Sequence, residues 1–92
     1  MKHIWFINDN KFTLGEGYVE EFYKQFNDAF IYPDENQLIP IDHIAIENIF
    51  DNQETALNIY KGMIGIERIK IHNKIEELKR YDESLFEKLL SI

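Results

Sequence analysis

The run His3-Ile4-Trp5-Phe6-Ile7 is the feature that most constrains what this chain can fold into. It combines aromatic and β-branched side chains, which favour a strand. The run stops at Asn8-Asp9-Asn10, a turn-forming sequence. These residues therefore predict a strand over residues 3–7, and Lys11-Phe12 is a candidate return arm of a hairpin.

The segment after this turn has the pattern of a helix. Thr13 and Glu16 match the first and last positions of a capping box. The apolar positions that then recur at helical spacing are Val19, Phe22, Tyr23, Phe26 and Phe30. The spacing predicts a first helix from about Leu14 to about Asp28.

Two glycines, Gly15 and Gly17, lie in this segment and raise the question of a phosphate-binding loop. Such a loop needs backbone N–H groups facing an anion, without a competing negative charge. Glu16, Glu20 and Glu21 would repel a phosphate. The glycines are therefore expected to leave room for a neighbouring element.

The middle of the chain has weaker patterns. Residues 31–36 contain Pro33 and a polar cluster, which predicts a turn. Residues 37–41 fit a short edge strand, because Pro40 excludes a central strand. The segment 43–50 fits either a strand or a helix, and we favour a helix capped by Asp42.

The last forty residues are predicted to be helical in several pieces. Residues 51–54 resemble a second capping box, and Gly65 is a good helix stop. A further helix has Ile71, Ile75 and Leu78 on one face, and Asp82 or Ser84 starts the last one. A strand over residues 64–71 is the alternative there.

The predicted fold class is thus α+β. A short N-terminal strand or hairpin packs with three to five helices, and the C-terminal half is all helical. The length of 92 residues predicts one small globular domain over residues 1–92 with a thin core. Because no apolar run approaches a membrane span or a signal-peptide core, the expected location is the cytoplasm.

Charge is distributed unevenly along the chain. The net charge is −7, and residues 1–54 carry eleven acidic residues against three basic ones. Residues 55–92 carry seven basic residues against six acidic ones. An acidic chain is unsuited to binding nucleic acid or an anionic membrane directly.

Catalytic and metal-binding patterns are weak. There is no Cys, and the three histidines, His3, His43 and His72, lack the spacing of a metal motif. Asp42-His43 and the pair His72/Glu76 are the nearest approaches to a general base and a metal ligand pair. We therefore expect no catalytic residues, no metal and no cofactor.

The most promising pattern is the mixture of acidic and tyrosine side chains in the first half. Such a surface suits a partner rich in Arg and Lys. The predicted partner-binding residues are Glu16, Tyr18, Glu20, Glu21, Tyr23, Asp28, Tyr32, Asp34 and Glu35.

These residues predict a small non-enzymatic inhibitor of a basic protein, such as a nuclease or a toxin. Immunity proteins, antitoxins and phage anti-defence proteins share this size and charge. One alternative is a homodimeric structural or accessory protein that uses the C-terminal helices as its interface. Another is a small enzyme or ligand binder with a pocket near His43 or His72.

Overall fold

A computed structural model describes all 92 residues and contains five strands, two short 3-10 helices and one α-helix. Residue contacts group the chain into two units, Met1–Tyr60 and Lys61–Ile92. The first unit contains all of the strands. No helix combines the length and the apolar character needed to cross a bilayer.

The first sheet has three antiparallel strands, with β1 (Lys2–Asn8) in the middle. β2 (Thr13–Val19) pairs along the whole of β1, and the two-residue strand β5 (Ile49–Phe50) pairs on its other side. The predicted N-terminal strand is therefore confirmed. The hairpin arm begins at Thr13, just after the predicted Lys11-Phe12.

The second sheet has two antiparallel strands, β3 (Asp28–Ile31) and β4 (Asp42–Ala45). Tyr18 of β2 and Tyr32 exchange two backbone hydrogen bonds of 2.8 Å, which connect the two sheets. The side chains that both sheets bury together form one core: Ile4, Phe6, Val19, Tyr23, Ile31, Ile44 and Ile49.

The prediction of a helix from Leu14 to Asp28 is wrong, because its first half is strand β2. Both glycines of this strand admit a close neighbour. A Cβ on Gly15 would lie 2.8 Å from the Phe6 ring, and one on Gly17 would lie 2.6 Å from Ile31 Cγ2. Glycine is also a poor helix former, so the same residues weaken the helical alternative.

The prediction of a helix over 43–50 is also wrong. This segment forms β4, then a 3-10 helix (Ile46–Asn48), then β5. Burial of Ile44 and Ile49 in the core favours the extended conformation over continued helix. No strand forms over residues 37–41, although the Ile41 N–H donates to the Ile31 carbonyl at 2.8 Å.

A single helix, α1 (Gln53–Leu90), replaces the predicted series. Asn52 is its cap, since Asn52 Oδ1 accepts hydrogen bonds from the N–H groups of Glu54 at 2.8 Å and Thr55 at 3.2 Å. Gly65 does not end the helix, and it has no positive φ. The prediction of three to five helices is therefore wrong: the structure has a strand-rich first half and one long helix.

Polar contacts hold the turn between β1 and β2. The buried Asn8 side chain accepts a hydrogen bond from the Lys11 N–H at 3.0 Å and donates one to Asp42 Oδ2 at 2.9 Å. Phe12 has a φ of 57°, a conformation unusual for a bulky residue. The Tyr60 hydroxyl donates to the Phe12 carbonyl at 2.8 Å, and this hydrogen bond helps to hold the turn in place.

Candidate ligand-binding groove

A groove of about 270 Å³ lies within the first unit, between the end of β2 and the outer face of β3 and β4. Most of its lining side chains are aromatic, and two are carboxylates. The lining residues are Glu20, Phe22, Tyr23, Phe26, Asp28, Ala29, Phe30, Tyr32 and His43.

A tight turn after β2 brings one side of the groove into place. The chain leaves β2 at Val19 and forms a 3-10 helix over Tyr23–Gln25. The Tyr23 N–H donates to the Glu20 carbonyl at 3.1 Å, and the Phe26 N–H donates to the Tyr23 carbonyl at 3.2 Å. These bonds keep the Glu20 backbone next to the aromatic residues that follow it.

Tyr23 anchors this turn, because its ring is buried in the core and its hydroxyl donates to Asp51 Oδ1 at 3.1 Å. Lys2 Nζ lies 2.9 Å from Asp51 Oδ1, and Lys24 Nζ lies 3.5 Å from Asp51 Oδ2. The hydrogen bond from Lys2 holds the pKa of the Asp51 carboxyl below its usual value. Burial, followed by the hydrogen bond to Asp51, raises the pKa of Tyr23. The turn is thus attached to the first unit through both the ring and the hydroxyl of Tyr23.

Three phenylalanine rings of the groove are about half exposed: Phe22 (53%), Phe26 (57%) and Phe30 (52%). Phe22 and Phe26 meet edge to face with ring centroids 6.2 Å apart. In β3 the side chains alternate, so Phe30 faces outward while Ile31 enters the core. Phe30 stacks on His43, the residue that faces it in β4, at 4.5 Å. Exposed aromatic residues that converge on one groove are typical of a binding surface.

The charged groups of the groove are predominantly negative. Glu20 and Asp28 contribute carboxylates, and no ion pair forms at Glu20. Asp28 Oδ1 lies 3.0 Å from His43 Nε2, an ion pair only when the histidine is protonated. No group of three or more His, Asp or Glu side chains is placed to hold a metal ion. The chemistry of this site is therefore that of aromatic faces next to negative charge.

The structure brings four of the predicted partner-binding residues to this groove, namely Glu20, Tyr23, Asp28 and Tyr32. The others lie outside its lining: Glu16, Tyr18, Glu21, Asp34 and Glu35.

Two of these outer residues have other neighbours on the first sheet. The Glu16 carboxylate lies 3.1 Å from the His3 ring nitrogen, and Tyr18 packs beside the same ring at 5.2 Å. Asp34 accepts a hydrogen bond from the Asn36 N–H at 3.1 Å in the loop after β3. These contacts are local, and none of them reaches the groove.

Sequence reasoning missed the phenylalanines of the groove, although it named His43 as one of two places for a pocket. The helical spacing of Phe22, Phe26 and Phe30 predicts a helix that does not form. The alternation of Asp28-Ala29-Phe30-Ile31 was the available signal, since alternating polarity predicts a strand with Phe30 on the same face as Asp28.

Comparisons of this chain with protein-family models, with curated protein sequences and with solved structures found no match. The interpretation of the groove therefore depends on its geometry and charge.

Proposed function

We propose that this protein is a small non-enzymatic binding protein whose groove takes an Arg or Lys side chain of a basic protein partner. The observation that carries the proposal is the convergence of three half-exposed phenylalanine rings with two carboxylates. Partner proteins of this chemistry include nucleases and toxins, so inhibition of such a protein is the proposed role.

Aromatic faces and carboxylates together favour a cation. A guanidinium or ammonium group is attracted to the negative face of an aromatic ring within about 6 Å, and Arg is the commoner partner. The same cation would form a charge-assisted hydrogen bond with Glu20 or Asp28. The protein already has one such contact at a lining residue of the groove, since Lys24 Nζ lies 5.8 Å from the centroid of the Tyr23 ring.

The net charge of −7 supports the same class of partner. A negative field speeds the encounter with a basic protein and repels nucleic acid, and both effects weaken as salt increases. An inhibitor that covers a nucleic-acid-binding surface would use this field for approach and the aromatic groove for slow release.

The first test uses a defined ligand. N-acetyl-arginine amide is titrated into ¹⁵N-labelled protein, with the citrulline analogue as a neutral control of nearly the same shape. We expect shifts at Phe22, Phe26 and Phe30 with arginine, and binding of citrulline weaker by about tenfold, because removing the charge leaves only the apolar contact. Equal binding of the two ligands, or no shift in the groove, would refute the proposal.

Variants then locate the site. Glu20→Gln together with Asp28→Asn should weaken arginine binding about tenfold, which corresponds to about 1.4 kcal/mol. Asp34→Asn together with Glu35→Gln removes the same number of acidic residues outside the groove and is the matched control. If this control has the same effect as the groove variant, net charge and not the groove explains binding.

Capture of proteins from a lysate of the source cell tests the proposed binding of a basic partner with the same variants. The wild type should retain a basic protein at low salt that is lost at moderate salt. The Glu20→Gln and Asp28→Asn variant should retain less of it than the Asp34→Asn and Glu35→Gln control does. Equal capture by both variants would mean that the partner binds elsewhere on the acidic surface.

A further inference from the structure

The second unit, Lys61–Ile92, carries a repeat that the groove does not use. Its helix has an apolar side chain at every seventh residue from Ile64 to Leu85, and Ile92 continues this spacing two residues after the helix ends at Leu90. The positions of this stripe are Ile64, Ile71, Leu78, Leu85 and Ile92. Seven residues is the period that keeps one face of a helix turned toward a partner helix in a coiled coil.

A second set of residues lies beside this stripe, three residues before each of its positions. Two of them are apolar and three are charged: Lys61, Arg68, Ile75, Asp82 and Leu89. Ile64 is half-buried, and the rest of the stripe is exposed, with Ile71 and Leu78 both more than half accessible to solvent. From Ile71 onward this apolar face is therefore open to a partner.

We propose that a second copy of this chain covers the stripe, and that the two helices pair antiparallel about Ile75. The direction follows from charge. Arg68 lies seven residues before Ile75, and Asp82 lies seven residues after it. An antiparallel pair centred on Ile75 places each Arg68 at the level of the other copy's Asp82, whereas a parallel pair would put like charges opposite each other.

The charge of the whole segment favours the same direction. Residues 61–75 carry four basic residues and one acidic one, while residues 76–92 carry five acidic residues and three basic ones. Antiparallel pairing places the basic part of each helix beside the acidic part of the other. Self-recognition is then selective, because the same helix repels a parallel copy.

The available area is sufficient for a dimer of moderate affinity. The helical residues from Ile64 to Leu90 extend about 40 Å, and a helix is about 12 Å wide with its side chains. Two such faces bury roughly 1,000 Å², the lower limit for a specific interface. The dimer should therefore dissociate on dilution.

Light scattering across a concentration series tests the dimer on the full chain. We expect the mass to increase from 11.1 kDa toward twice that value as the concentration rises. Ile71→Asp should raise the dissociation constant at least about 100-fold, because a charge would enter the apolar seam. Ile69→Asp is the matched control, since Ile69 is as exposed as Ile71 (62% against 54%) but lies on the opposite face of the helix. Ile69→Asp should change the dissociation constant of the dimer less than about threefold.

Exchanging the charges of Arg68 and Asp82 tests whether these residues pair across the dimer. Arg68→Asp should weaken the dimer about tenfold, and the double variant Arg68→Asp with Asp82→Arg should return it to within about threefold of the wild type. Failure of the double variant to recover would exclude contact between these two positions. Circular dichroism of each variant checks that the helix is retained.

A distance measurement tests the direction. The chain has no Cys, so Lys88→Cys takes a single spin label. In the antiparallel dimer the two labels lie about 40 Å apart, because each is thirteen residues from the centre at 1.5 Å per residue. A separation below about 20 Å would show parallel helices, since paired axes are only 8–10 Å apart. A separation in that range would overturn the proposal. So would a mass that stays at 11.1 kDa at every concentration, or a mass above that of a dimer. The proposal would also fail if Ile69→Asp weakened the dimer as much as Ile71→Asp does.

Discussion

Replacing Gly17 by alanine tests whether close packing against β2 requires a glycine at this position. The added Cβ would lie 2.6 Å from Ile31 Cγ2 and 2.9 Å from the Tyr32 carbonyl oxygen. The first neighbour is a side chain that can rotate. The second is a backbone atom of the Tyr18–Tyr32 bridge, which cannot move without lengthening two hydrogen bonds of 2.8 Å.

The expected loss of stability follows from two opposing terms. An extra carbon in a packed core typically destabilises a protein by about 1–3 kcal/mol. Alanine in a strand regains about 0.5–1 kcal/mol relative to glycine, because it loses less backbone entropy on folding. The difference is about 0–2.5 kcal/mol, and the contact with the Tyr32 carbonyl oxygen favours its upper part, so we expect a net loss at Gly17 of about 1–2 kcal/mol. Gly15→Ala should lose less, since its neighbour is the end of the Phe6 ring.

Urea unfolding followed by tryptophan fluorescence measures this loss. Trp5 is the single tryptophan and lies in the central strand β1, so its emission reports on the sheet. With a urea dependence of about 1 kcal/mol per M for a small domain, the midpoint of the Gly17→Ala variant should fall by about 1–2 M at an unchanged slope.

The control is the same substitution in open space. A Cβ at Gly62 in the helix meets nothing within 4 Å, so Gly62→Ala should increase helix stability by up to about 1 kcal/mol. The tryptophan midpoint should not fall in that variant. An unchanged midpoint in Gly17→Ala would refute the reasoning, because it would show that the neighbours of Gly17 yield without loss.

Two further predictions concern polar contacts of the first unit. Asn8→Ala removes the hydrogen bonds to Asp42 and from the Lys11 N–H, and should destabilise the sheet by about 1–3 kcal/mol in the same urea assay; no loss would mean that water replaces both bonds. The Asp51 carboxylate stabilises the fold through its lowered pKa, so this contribution is complete above its ordinary pKa of about 4 and is lost as the pH falls through the lowered value. The stability difference between the wild type and Asp51→Asn should accordingly be constant from pH 7 to about pH 5 and shrink below about pH 4, and a difference independent of pH would contradict the assigned cause.

Local composition predicted the parts of the fold that local forces decide. The strand at residues 3–7 formed because aromatic and β-branched residues are followed at once by a turn. The cap at residues 51–54 was located to within one residue, as Asn52 and not Asp51 accepts the helical N–H groups. Neither prediction required knowledge of a distant residue.

The errors arose where distant contacts outweigh local spacing. Val19, Phe22 and Phe26 have the spacing of a helix face, yet Val19 ends a strand and the two phenylalanines are exposed. The deciding contacts are those of Gly15 and Gly17 with Phe6 and Ile31, which no local window contains. The groove was missed for the same reason, because the spacing of its phenylalanines predicts a helix and not a groove.

The continuous helix was missed for a different reason. Gly65 predicts a stop, but a glycine ends a helix only when the chain turns there, and Gly65 lies inside α1 without a positive φ. The seven-residue repeat through Ile71 and Leu85 was the signal that no break occurs. An apolar repeat that continues through a glycine is stronger evidence than the glycine.

The position of β1 between β2 and β5 determines the order in which the sheet can form. Pairing with β2 needs only a short turn, so this hairpin can form within microseconds. Pairing with β5 joins Trp5 to Phe50, residues about 45 apart along the chain, and must wait for a large loop to close. During synthesis, the free edge of β1 is therefore exposed until residue 50 has been added. That interval is when this chain is most open to wrong pairing with the strand of another molecule.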